Sequence, residues 1–144
     1  VPALTVAVGS NVLFELVYGL TMTHLPVVIC GIATVLIIRG FLRIGWFDAV
    51  GHALIVSLAV AFANAVLGAV IAAFLFGGIT GVGIDYLVSG LVTSGQSLLS
   101  ASFWARVPAN IIDKTVAVFV AYAFRAPLLR LARRLALSRR AGRS

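Results

Sequence analysis

Long apolar runs with few polar interruptions dominate the chain. A membrane-crossing helix needs ~20 such residues, and the pattern yields about five segments. The first runs from about Ala3 to Leu20 and carries Glu15. The second runs from about Leu25 to Ile38 and is short, with Arg39 and Arg43 at its end. The third, Ala49 to Phe76, is longer than a ~30 Å hydrocarbon core requires at ~1.5 Å per residue. Gly77, Gly78, Gly81 and Gly83 then break the pattern and predict a turn. The fourth segment, Ile84 to Ala105, is rich in Ser, Thr and Gly. The fifth, Pro108 to Phe124, opens on a proline suited to a first helical turn.

These segments predict an all-α fold: a polytopic membrane helical bundle over residues 1–124, with about five transmembrane helices visible, followed by a basic amphipathic tail, 125–144. Composition agrees, with 62% hydrophobic and 10% charged residues and a mean hydropathy of +1.15. Soluble domains are roughly one-quarter charged. The chain opens at Val1 with no charged n-region before it, so no signal peptide is visible and an upstream span is compatible with the pattern.

The net charge of +7 is concentrated at one end, because seven of the eleven basic residues lie between Arg125 and Arg143. Beside a hydrophobic span such a block reads as a cytoplasmic anchor rather than a nucleic-acid contact. The tail's Leu128, Leu131, Ala132 and Leu135 share a helical face, suited to an anionic inner leaflet. Counting back through five spans places the Arg39–Asp48 loop on the opposite, outer side. That position sits badly with its two arginines; a re-entrant fourth segment would move the loop inside.

Chemistry concentrates between Gly95 and Lys114. Charged groups at membrane depth cost at least ~2.5 kcal/mol each, so they persist where a partner or ligand compensates them. Gln96, Arg106, Asn110, Asp113 and Lys114 are the candidates there, with Asn64 on the third segment. Arg106 or Lys114 would meet an anionic ligand group, and Asp113 would accept a ligand donor or orient a neighbouring helix. Adjacent helical residues diverge by about 100°, so Asp113 and Lys114 are expected to face inward on different sides and to pair poorly with each other. The alternative is an interhelical ion pair, with Glu15, Arg106 and Asp85 as the available partners. Asp85, Ser89, Thr93, Gln96 and Ser100 form a polar helical face.

Small residues recur every fourth position in the third segment: Ala61, Ala65, Ala69 and Ala73, beside Asn64, Gly68 and Ala72. Such rows let helices approach closely, within the bundle or against a partner subunit. Cys30 is the sole cysteine and reads as a small buried hydrophobe; His24 and His52 lack ligand-spaced partners. No nucleophile–base pair, metal-ligand set or cofactor motif is present, so an enzyme is not expected.

The stretch Pro108-Ala109-Asn110-Ile111-Ile112-Asp113-Lys114, continuing to Tyr122 before Arg125, resembles the last membrane helix of the substrate-binding S components of energy-coupling-factor vitamin transporters. Membrane domains of bacterial signalling proteins are related. The resemblance covers mainly Phe76 to Arg130. It implies six helices in the complete protein, with both ends cytoplasmic, in a bacterial inner membrane. It implies capture of a vitamin-like micronutrient near the outer face, and docking on a membrane coupling subunit that carries two ATPases. The family's small-residue docking motif lies on its first helix, which is not seen here, and Arg39 and Arg43 depart from its topology. Two functions follow as expectations: a substrate-binding subunit for micronutrient uptake, or the membrane input domain of a larger sensor. A third, weaker reading is a structural subunit whose charges only hold helices together.

Overall fold

The computed structural model describes residues 25–81 and 83–141, together with residues 5, 8, 9, 12 and 13; from residue 127 onward it gives only the course of the helix. Most of the first predicted segment, including Asn11, Glu15 and Tyr18, lies outside the described residues, as does His24. Among the described residues all regular structure is helical. A 3₁₀ turn, Leu25–Val27, leads into α1 (Val28–Arg43), followed by α2 (Val50–Leu75), α3 (Asp85–Thr93) and α4 (Leu98–Ala141).

Two helices, α2 and α4 over Leu98–Ala126, are long and apolar enough to cross a membrane. At ~1.5 Å per residue α2 is ~39 Å long, as its predicted bounds implied. The nine-residue α3 reaches only ~14 Å and cannot cross. The predicted fourth span, 84–105, is therefore two pieces. It breaks at Ser94–Gly95, where Gly95 takes a positive φ of 95° that other residues rarely adopt. The second piece continues through Pro108 into the predicted fifth segment, and on through Pro127, as one 44-residue helix. A proline inside a helix frees the carbonyl four residues earlier, here Trp104 and Ala123. Membrane helices tolerate this where other groups satisfy the freed carbonyl.

The helices α2 and α4 pack antiparallel along their lengths. At one end Ala53, Val56 and Val60 pack on Val118. Further along, Thr115 Oγ1 donates to Ser57 Oγ at 3.5 Å. Further still, Arg106 lies over Gly68, where a Cβ would stand 3.4 Å from its Cδ. At the far end Gly78, with φ of 87°, admits the Leu98 side chain into space that a Cβ would occupy. There α3 packs on the start of α4 through Val88, Ala101, Ala105 and Leu98.

At the opposite end the α1–α2 loop is tied to α4. Tyr122 Oη donates to the Asp48 carbonyl at 3.2 Å. Arg125 Nη1 bonds the Phe47 carbonyl and, at 3.2 Å, Asp48 Oδ1; Nη2 reaches the Asp48 carbonyl at 3.2 Å. The Arg125 guanidinium also lies 4.7 Å from the centre of the Tyr122 ring. These contacts correct the predicted placement of the Arg39–Asp48 loop opposite the tail. Both stand at one end, and the short α3 is the reason: it does not run the length of α2, so α4 comes back alongside α2.

The side chains sort by size. The α2 face against its neighbours holds Ala61, Asn64, Ala65, Ala69 and Ala72, all buried. Its outer face carries Leu54, Ile55, Leu58, Phe62, Val66, Val70 and Phe74, all exposed. Small residues inside and large apolar ones outside is how helices pack when the surroundings are as apolar as the core. The rows at Asn64 and Gly68 meet α1 and α4, so they pack within the bundle. An isobutyl group has no room at the buried Ala69: Ala69→Leu is expected to destabilise the protein by ~1–3 kcal/mol. Val66→Leu, on the outer face, should stay within ~0.5 kcal/mol. Reversible unfolding in mixed micelles compares them, and equal losses would refute the assignment of faces.

Candidate functional site

Helix α4 carries Ser102, Arg106, Asn110 and Lys114 at four-residue spacing, which sets them in one row along the helix. The row lies in the half of the bundle nearer α3. Its centre is Arg106, a residue only 8% exposed. Its Nη1 donates to the Ser102 carbonyl at 3.1 Å and its Nη2 to Thr80 Oγ1 at 3.4 Å. A guanidinium has five N–H donors in a fixed fork. No carboxylate among the described residues stands within ion-pair distance of it. One turn earlier Ser102 is fully buried, and its hydroxyl has no hydrogen-bond partner among the described residues. The Arg106 side chain lies against α2 at Gly68, where an added Cβ would come into contact with it.

The loop before α3 closes over this region. Asp85 accepts from the Thr80 backbone N–H at 2.9 Å, from the Gly81 N–H at 2.7 Å and from Thr80 Oγ1 at 2.9 Å. The acid at the start of α3 thus does more than complement the helix end: it folds the glycine-rich turn and holds the threonine that meets Arg106. Asp85 also lies within electrostatic reach of Arg106. The arginine therefore sits under a loop whose shape an acid maintains.

Asn110 lies one turn beyond Arg106, and its Nδ2 donates to the Arg106 carbonyl at 2.9 Å. Lys114 follows another turn on. It is bonded to Asp113 Oδ2 at 2.5 Å, with the Asp113 side chain 66% exposed. Two expectations are corrected here. Asp113 and Lys114 do pair, because the flexible four-carbon lysine stem spans the angle between neighbouring positions. Asp113 also faces outward rather than into the bundle.

Asn64 bridges α2 to α1, donating from Nδ2 to Thr34 Oγ1 at 2.8 Å and to the Val60 carbonyl at 2.9 Å. Thr34 in turn bonds the Cys30 carbonyl at 2.9 Å. The Cys30 thiol is buried and within electrostatic reach of both Lys114 and Arg106. Gln96 stands apart from this group. It lies in the turn before α4, where its Oε1 accepts from Ser100 Oγ at 3.1 Å, ~15 Å along the helix from Arg106.

The structure thus groups Arg106, Asn110 and Lys114 in one row, with Asn64 fixing the α1–α2 contact, and separates Gln96 and Asp113 from it. The sequence reading missed Thr80 and Ser102. Ser102 was open to discovery through its four-residue spacing from Arg106, whereas Thr80 sits in a glycine turn that carries no such signal. Among the described residues no group of three or more His, Cys, Asp or Glu could hold a metal ion. A separate open groove of about 190 Å³ lies between α2 and α4, lined by Leu58, Ala61, Phe62, Ala65, Val107 and Ile111. It is apolar, and none of the candidate residues lines it.

Comparison of the chain with known protein families, with curated proteins and with solved structures finds no match.

Proposed function

We propose that the chain is a multi-pass membrane protein that binds a small anionic, vitamin-like micronutrient. In this reading it serves as the substrate-binding subunit of an uptake system energised by a separate ATPase module. The observation that carries the reading is Arg106: a buried guanidinium with donors to spare and no carboxylate at contact distance among the described residues. An intramembrane charge of this kind is costly unless a ligand compensates it. An anionic ligand group meets Arg106 and the Ser102 hydroxyl, Asn110 adds a directional contact, and Lys114, paired with Asp113, stands one turn further along the row. The turn at 77–84 covers the site, and Asp85 keeps it shaped. No bond is made or broken, so the activity is binding and not catalysis.

The test is native mass spectrometry of the purified protein, looking for a co-purified small anion. Asn110→Ala should lower its occupancy while costing only ~0.5–1.5 kcal/mol of stability, the net worth of one neutral hydrogen bond. Unchanged occupancy in a folded variant would remove Asn110 from the site and favour a structural role for this row.

In the same reading the membrane is the bacterial inner membrane. The arginine-rich end, with both the tail and the α1–α2 loop, faces the cytoplasm. Arg43→Cys and Ser138→Cys, each in a Cys30→Ala background, should both resist an impermeant thiol reagent on intact cells and both react after lysis. Labelling of position 43 alone would overturn this arrangement.

A second reading, the input domain of a sensor, draws on the unbroken 44-residue α4. A continuous helix of ~66 Å carries a displacement at the site out beyond the bundle. Coding sequence after Ser144 that specifies an ATP-dependent signalling domain would favour it. Coding sequence that ends close by would favour the transport subunit.

A further inference from the structure

We propose that the α1–α2 end of the bundle is a binding site for anionic phospholipid headgroups. Arg39 and Arg43 stand one turn apart on α1, and both are exposed. Neither has a carboxylate partner among the described residues. The one acid in the adjoining loop, Asp48, is already held by Arg125. Between the two arginines α1 exposes Leu42, and beyond them the loop exposes Ile44 and Trp46, the last stacked on His52 at 5.3 Å and 8°. Free cations set beside exposed apolar side chains match one molecule with both chemistries, a phosphate group carrying acyl chains. A soluble phosphate would satisfy the guanidiniums and leave Leu42, Ile44 and Trp46 in water. An aromatic side chain of this kind belongs at headgroup level, and long basic side chains reach the same level from a helix end.

The clasp described above makes the site continuous with the start of the basic tail, because Tyr122 and Arg125 hold the Phe47–Asp48 backbone. The lipid therefore bears on the junction between the α1–α2 loop and α4. Anionic headgroups there fix the loop that positions both spans.

The experiment uses the full chain in neutral detergent, titrated with dioleoylphosphatidylglycerol or dioleoylphosphatidylcholine and read by native mass spectrometry. Phosphatidylglycerol should bind more tightly. An Arg39→Gln/Arg43→Gln double variant should weaken its binding on the order of thirtyfold, the effect of two cations near an anionic surface. An Arg133→Gln/Arg134→Gln double variant in the tail should change it much less. A Trp104→Phe background leaves Trp46 as the sole tryptophan. There, acyl-brominated phosphatidylglycerol should quench the fluorescence more than brominated phosphatidylcholine does, a readout that does not depend on the arginine variants folding. Equal binding of the two lipids, equal quenching, an equal loss in the tail variant, or displacement of the lipid by inorganic phosphate would each overturn the proposal.

Discussion

Replacing Asp85 with alanine is expected to destabilise the protein by ~2–4 kcal/mol and to open the turn over Arg106. Among the described residues the carboxylate accepts hydrogen bonds from the Thr80 and Gly81 backbone amides and from the Thr80 hydroxyl. Hydrogen bonds to a charged group are worth ~1.5–3 kcal/mol each. The sum is discounted because the Gly81 contact is exposed and because bonds sharing one acceptor group are not additive. Asp85→Asn should lose less, since an amide oxygen in the place of Oδ2 still accepts from both N–H groups and only the bond from the Thr80 hydroxyl to Oδ1 is lost. Hydrogen exchange gives the local readout: the Thr80 and Gly81 amides should exchange much faster in Asp85→Ala, while amides in the middle of α2 keep their protection. A variant with unchanged exchange at Thr80 and Gly81 would show that the turn is held by something other than this acid. The stake is functional as well, because Thr80 is the side chain that reaches Arg106 from the loop.

The region of Asp85 also shows where the sequence could be read and where it could not. The length and bounds of α2 follow from hydropathy alone, and the glycines at 77, 78, 81 and 83 mark the break after it. The end of α3 is harder to see. Apolar residues continue past Ser94–Gly95, and the dip in hydropathy is too shallow to separate a short helix from a full span. Pro108 misled in the other direction: a proline reads as a helix start, whereas here the helix runs through it. Span counting is sensitive to parity, so one segment too many moved the Arg39–Asp48 loop to the wrong end. The contact that decides the matter, Arg125 to Asp48, joins residues 77 apart, and no local pattern announces it.

The polar row was legible in part for the same reason that helices are. Spacing makes Asn110 and Lys114 neighbours on one helix, and the structure keeps that; Arg106 joins their row because the helix runs on through Pro108. Spacing does not report side-chain reach, which is why the Asp113–Lys114 pair was not foreseen. Nor does it say what stands across the bundle. The bond between Asn64 and Thr34 links residues 30 apart, and Gly68 read as one more small residue rather than as the place where Arg106 lies.

The central claim, that Arg106 is present for a ligand and not for the fold, is tested most directly by the stability of Arg106→Met. A buried charge held for structure leaves a stranded partner when it is removed, at a cost of ~3–5 kcal/mol. A buried charge with no contacting carboxylate among the described residues is itself a burden, and an apolar side chain of similar length fits the same space at lower desolvation cost. The ligand-free Arg106→Met protein should therefore unfold at the same temperature as the unaltered protein or higher, and the co-purified anion should be absent from it. A folded variant that is several kcal/mol less stable, or that still carries the anion, would contradict the account.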